Sequence, residues 1–259
     1  GELANMINGE RWISKPCRLR VVPMTGWRRS MVWSDTDLPW IATSPNIPNS
    51  RACLGYAALG LLGELSGGSG LSIGGALNRP FQCVAAPWLD ADLLSRQLKR
   101  HKLPGVEFGP FHALRDNRRY HGVELRWTGP ATAPLVAVNF HMLDAIRTTA
   151  HRNLPRETAQ AGRGFGLFDK ACGTDRVRKA LLAGRPATEI VAGWKVGEDA
   201  FRKQRAPYLI YDTPPKTSPS AKPPATAKPA PRANPGLATI TVAPGDTLCM
   251  ITDGVTEAM

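Results

Sequence analysis

The chain has 259 residues, 42% of them hydrophobic and 21% charged, the balance of a folded globular protein with an apolar core of useful size. No apolar run reaches the roughly 18 to 20 residues needed to cross a bilayer as a helix, and ACLGYAALGLLGEL, the best candidate, is short and broken by glycines. The net charge is +12; setting aside the four cations and three acids of residues 213–259 leaves +11 on residues 1–212, so the body itself favours an anionic partner such as nucleic acid, acidic lipid or a carboxylate-bearing polymer.

Along the chain, Glu2 to Asn8 reads as the end of a helix and RLRVVPM (18–24) as a short strand. From Gly26 to Ser50 the sequence GWRRSMVWSDTDLPWIATSPNIPNS follows neither helical nor strand period and is expected to be a long loop. Tyr56 to Leu65 is predicted helical despite its glycines, and GGSGLSIGG (67–75), which lacks a phosphate-gripping lysine, a mobile rim loop. FQCVAAPW is an apolar strand; Asp90 is placed to cap DADLLSRQLKRH, with Leu93, Leu94 and Leu98 as its apolar face. PGVEFGPFHAL and HGVELRW form a strand pair joined through the basic turn RDNRRY, flanked by His112 and His121 as strand-end surface residues. Pro134 opens a helix through Val136, Phe140, Leu143 and Ile146. GRGFG (162–166) is expected as a flexible turn, Thr174 caps DRVRKALLAG, and Thr188 caps a final helix EIVAGWKVGEDAFRKQR before a terminal strand PYLIY. Interleaved strands and helices give an α/β (α+β) class: a single mixed-sheet domain with flanking helices over 1–211. A disordered Pro/Ala/Lys-rich linker (212–236) and a short tail (237–259) are expected to follow.

Strong catalytic signatures are absent: there is no P-loop and no HExxH. The five cysteines (Cys17, Cys53, Cys83, Cys172, Cys249) lack CxxC spacing and read as small apolar residues. No metal and no cofactor are expected. The long loop is the remaining site candidate, because Trp27, Trp33 and Trp40 are costly to leave in water and Arg28 and Arg29 offer planar forks for carboxylate or phosphate. Asn46 sits on the rigid turn SPNIP. Composition alone favours the alternative, in which the tryptophans form a satellite core and the arginines pair with Asp35 and Asp37.

PMTGWRRSMVWSDTDLPWIATSPNIPNS, with RPFQCVAAPWLDADLL, LPGVEF, HGVELRW and EIVAGWKVGEDAFRKQRAPYLIY, resembles the NamZ-type exo-β-N-acetylmuramidase family, in order from Gly1 to Tyr211. The resemblance implies a peptidoglycan glycoside hydrolase with an N-terminal Rossmann-like domain and a C-terminal α/β domain, its active site in the cleft between them. Members release terminal N-acetylmuramic acid from wall fragments. GELA falls just after the first domain in this reading, so 1–211 is expected to be the C-terminal domain. That makes the chain a truncated part of a bacterial enzyme, periplasmic or secreted, inactive without its N-terminal domain. Trp27, Arg28, Arg29, Trp33 and Asn46 are the implied substrate-binding residues, an arginine taking the lactyl carboxylate of muramic acid. Glycoside hydrolysis usually needs two carboxyl groups. The catalytic one is unassigned here: Glu64, the only acid between Asp37 and Asp90, is the local candidate for a supporting acid, with a helix-surface glutamate as the plainer role.

The tail segment ITVAPGDTLCMI resembles the start of a LysM wall-binding repeat, and PGDTLCMITDGVTEAM a strand of PP2C/SpoIIE-type phosphatases; a lone Asp253 makes no two-metal site, and the tail is assigned no function. Two other functions stay open: a non-catalytic module binding an anionic cell-wall polymer, and, last, nucleic-acid binding, which only the charge suggests.

Overall fold

Asp116 and Asn117, both with left-handed backbone (φ 50° and 56°), turn the chain between two ten-residue strands, β2 (Val106–Arg115) and β3 (Arg118–Trp127). Two consecutive positive φ values suit the right-handed twist of a tight hairpin, and Asp-Asn tolerates them. The basic residues expected in the turn therefore lie on the strands that flank it. β1 (Cys83–Ala86) adds antiparallel to β3, giving the order β1-β3-β2 with Ala86 opposite His121 and His112 opposite His121 on the other side. The α/β class holds; the sheet, expected to be mixed, is antiparallel throughout.

The computed structural model describes residues 1–211; the linker and tail expectations, and Cys249, lie outside them. The described residues group into two units, Gly1–Arg28 with the residues from Gln204, and Arg29–Lys203.

In the larger unit, α2 (Ser50–Glu64), α3 (Ala91–Lys99) and α4 (Leu135–Ala150) supply the main apolar cluster with the sheet. Leu59 and Leu62, Leu94 and Leu98, Phe140 and Ile146, Val84, Phe108 and Val123 are buried in it, each stabilising the fold by about 1.5 to 3 kcal/mol as transfer from water. The other sheet face carries a smaller cluster of Cys83, Ala85 and Phe111. Asn49 caps α2 through Ala52 N (3.0 Å) and Asp90 caps α3 through Leu93 N (2.8 Å). Leu93, expected on the apolar face, is exposed; Ala91, Leu94, Ser95 and Leu98 share that face at helical spacing. Ser95 Oγ donates to Phe108 O at 2.7 Å, which satisfies its buried hydroxyl.

After α4, short helices follow: α5 (Leu154–Gln160), α6 (Gly166–Cys172), α7 (Arg176–Leu182), α8 (Ala187–Ala192) and α9 (Lys195–Arg205). The single final helix expected from Glu189 is thus two, broken at Gly193 and Trp194, and Thr188 lies inside α8 rather than capping it. Glycine is a poor helix former, and the break lets Trp194 meet Phe140 edge-on at 5.2 Å.

The smaller unit contains α1 (Glu2–Gly9), and neither strand expected in it forms. RLRVVPM forms no strand; Pro23 lacks a donor, and Met24 N donates instead to the Tyr211 hydroxyl (2.9 Å). PYLIY enters through a 3-10 turn, Ala206–Tyr208, and Ile210 N and Tyr211 N both donate to Glu2 Oε1 (2.8 and 3.2 Å), a carboxylate in place of a neighbouring strand.

Candidate functional site

Each loop candidate is held differently. In the smaller unit Trp27 is half-buried and meets Tyr211 edge-on, centroids 4.6 Å apart; Arg28 is exposed. In the larger unit a 3-10 turn, Trp33–Thr36, is closed by Asp35 Oδ2 accepting from Val32 N (2.9 Å), and Asp37 takes a left-handed φ of 56°. This turn sets Trp33 edge-on to Trp40 at 5.3 Å, with Trp33 Nε1 donating to Leu38 O (3.1 Å). Trp33 stays 39% exposed. The Trp40 Nε1 hydrogen is buried without an acceptor among the described residues. Arg29 is half-buried. Asn46 is exposed on its turn, its backbone N donating to Ser44 Oγ (3.2 Å), and Ser44 pairs with Ile47. Glu64 is exposed at the C-terminal end of α2.

The structure thus brings Trp33 and Trp40 together and Trp27 with Tyr211.

Two polar constellations were not foreseen. Glu124 on β3 is salt-bridged by Arg126 and by Arg79 (3.4 Å to Oε2), with Arg79 also over the Phe111 ring at 5.4 Å. The signal was the i, i+2 spacing of Glu and Arg in HGVELRW, which places both on one sheet face. Both carboxylate oxygens of Glu124 are engaged by arginines, which ties β3 to the segment carrying Arg79. The second constellation clamps the glycine-rich loop: Ser69 O accepts from Trp88 Nε1 (2.8 Å) and from Arg152 Nη1 (3.1 Å). The loop expected to be a mobile rim is tied down at this point.

Among the described residues no group of three or more His, Cys, Asp or Glu side chains is placed to hold a metal ion, and no helix is long and apolar enough to cross a membrane.

The model of the C-terminal part of the exo-beta-N-acetylmuramidase NamZ family matches residues 54–211, and that of the N-terminal part matches residues 1–51. The chain belongs to the NamZ family. The stretch from Trp27 to Asn46 falls in the part matched by the N-terminal model, Glu64 and Glu124 in the part matched by the C-terminal one. The chain is 30% identical over 216 residues to the peptidoglycan beta-N-acetylmuramidase NamZ of Bacillus subtilis, covering 82% of this chain and 49% of that protein. A crystal structure of a DUF1343 family protein from Bacteroides fragilis superposes with a TM-score of 0.70 at 32% identity, over 82% of this chain and 55% of the other. A second DUF1343 family protein from the same organism gives 0.50 at 27% identity, over 82% and 54%. This NamZ family chain spans about half the length of the relatives it matches.

Proposed function

We propose that the chain is the C-terminal, substrate-cleft part of a bacterial exo-β-N-acetylmuramidase that removes terminal N-acetylmuramic acid from peptidoglycan fragments in the periplasm or outside the cell. The observation that supports the muramidase part of this reading is the family match, by the N-terminal model over residues 1–51 and the C-terminal model over residues 54–211. In this reading Arg28 or Arg29 forms a bidentate pair with the lactyl carboxylate that distinguishes muramic acid from N-acetylglucosamine. Trp27 and Trp33 supply aromatic surface for the sugar ring, and Asn46, exposed on its turn, bonds the acetamido group or a hydroxyl. Glu64 is a supporting acid, and a carboxylate in the Rossmann-like N-terminal domain of the same protein does the bond-breaking work, since hydrolysis of this kind calls on two carboxyl groups.

The test compares this chain with its full-length parent on chromogenic β-glycosides of N-acetylmuramic acid and N-acetylglucosamine. The parent should release only the muramide and the isolated chain neither. No release by the parent, or equal release of both sugars, sinks the proposal. Wall-polymer binding without any release would point to the non-catalytic module instead. Arg28→Ala and Arg29→Ala test the binding assignment: one of them should erode the preference for muramic acid, and unchanged preference in both removes it.

A further inference from the structure

The antiparallel register sets His112 directly opposite His121 near the free end of the β2–β3 hairpin. Their Nδ1 atoms lie 2.8 Å apart, with the rings roughly perpendicular and their centroids 5.1 Å apart. We propose that this pair is a binding site for one transition-metal dication of the copper(II) or nickel(II) type, held by the two imidazoles in adjacent coordination positions.

The distance carries the argument. Imidazole nitrogens bind such ions at about 2.0 to 2.1 Å, so two of them 90° apart at the metal are separated by about 2.9 Å, whereas a tetrahedral angle spreads them to about 3.3 Å. The observed 2.8 Å, a hydrogen-bond length, puts both nitrogens within reach of one ion, and the affinity order of imidazole sites for first-row dications, which peaks at copper(II), favours copper and nickel over the earlier metals. Nδ1 is the ring nitrogen nearest the backbone, so the paired strands, more than flexible side chains, set the spacing. A donor pair positioned by a rigid hairpin loses little freedom when the ion arrives.

The 2.8 Å contact is a hydrogen bond in the tautomer that carries its hydrogen on one of the two Nδ1 atoms. An entering ion takes its place: that hydrogen moves through solvent to Nε2 of the same ring, and each Nδ1 then presents its lone pair. His112 is exposed, and the depression of about 410 Å³ lined by His112, Ala113, Leu114, Arg119, Tyr120 and His121 opens to solvent, leaving room for water or an external ligand on the remaining positions. No third His, Cys, Asp or Glu completes a set of three among the described residues, and Arg115, Arg118 and Arg119 surround the turn. Both facts make the site weaker than one with three protein ligands.

The experiment titrates the full chain separately with copper(II), nickel(II) and zinc(II) by calorimetry and records the electron paramagnetic resonance of the copper form. We expect one ion per chain, copper bound most tightly, and nitrogen hyperfine structure from two imidazoles. His112→Gln and His121→Gln should each weaken copper binding about tenfold or more and remove the two-nitrogen signature, while His151→Gln, at an exposed histidine elsewhere, changes neither. Unaltered circular dichroism would show that the variants fold. Absence of saturable binding, or binding that survives both hairpin substitutions unchanged, overturns the proposal.

Discussion

Asn139, fully buried in α4, is hydrogen-bonded into the backbone of α2: its Oδ1 accepts from Leu62 N (3.1 Å) and its Nδ2 donates to Ala57 O (2.9 Å). Nδ2 also donates to Val136 O (3.2 Å) within its own helix, so both ends of the amide are used. Two helices that share an apolar contact are thereby locked at one axial position. Asn139→Ala strands buried backbone partners and should cost about 2 to 3 kcal/mol. Asn139→Leu should do no better, because volume does not replace the acceptor. Urea denaturation measures both, and a loss below about 0.5 kcal/mol in either refutes the role.

Gly55 shows why α2 tolerates its glycines. A Cβ at this position would lie 1.8 Å from Phe81 O, a backbone atom that cannot swing aside. Gly55→Ala, which elsewhere in a helix would help by about 1 kcal/mol, should therefore destabilise by about 1 to 3 kcal/mol or more. Gly60→Ala is the control, since its Cβ would meet only Tyr56 side-chain atoms at 3.5 Å or beyond. Thermal melts that fall for Gly60→Ala as much as for Gly55→Ala would discard the explanation.

The same residues show what was legible in advance. α3 was readable because Asp90 announces its start and the spacing of Leu94 and Leu98 fixes its face. β2 and β3 were readable as a pair from apolar alternation around Asp116 and Asn117. The strands expected at 18–24 and 207–211 failed because a strand is defined by a neighbour, and a carboxylate, Glu2, or a hydroxyl, that of Tyr211, took the neighbour's place. α8 and α9 were merged because the periodicity survives Gly193 while the backbone does not continue through it. Of the candidate site, the aromatic content of the loop was visible, but the pairing of Trp33 with Trp40 and the anchoring of Glu124 depend on contacts that residue spacing along one chain segment does not encode.

His141 should make the fold sensitive to acid. Burial, and then the neighbouring His101, hold this imidazole below its usual range, with Asp144 acting in the opposite direction. The folded state therefore favours the neutral ring, and the unfolded chain takes up a proton first. Stability from this group is present above about pH 6.5 and lost as pH falls from there through the folded value. His141→Leu should shrink the drop in melting temperature between pH 7.5 and pH 5. An undiminished drop would assign the acid sensitivity to other groups.

The cysteines should react in a fixed order. Burial pushes the Cys83 thiol up to about 12, with Glu124 adding to the effect and Arg79 opposing it, and burial with Asp169 pushes Cys172 up to about 11. Both are thiols at pH 8, and Cys83 is also out of reach of solvent. Cys17 is exposed. Brief alkylation of the native protein at pH 8, read peptide by peptide in the mass spectrometer, should label Cys17 and leave Cys83 unlabelled until denaturant is added. Early labelling of Cys83 would contradict its burial.

Arg152 should be irreplaceable by lysine. Its guanidinium lies 4.3 Å from the Trp88 ring centroid, donates to Ser69 O and pairs with Glu157. Ser69 O is thus held by two donors from different parts of the chain, and the Gly67–Gly70 segment is fixed between them. A lysine keeps the charge but loses the planar group that stacks on indole while reaching both oxygens. Arg152→Ala should cost about 1 to 2 kcal/mol, with Arg152→Lys recovering little of it. Amide hydrogen exchange should accelerate at residues 66–72 in both variants while the β2–β3 hairpin keeps its protection. If the lysine variant exchanges like the parent protein, charge alone holds the loop, and the stacking on Trp88 contributes nothing to it.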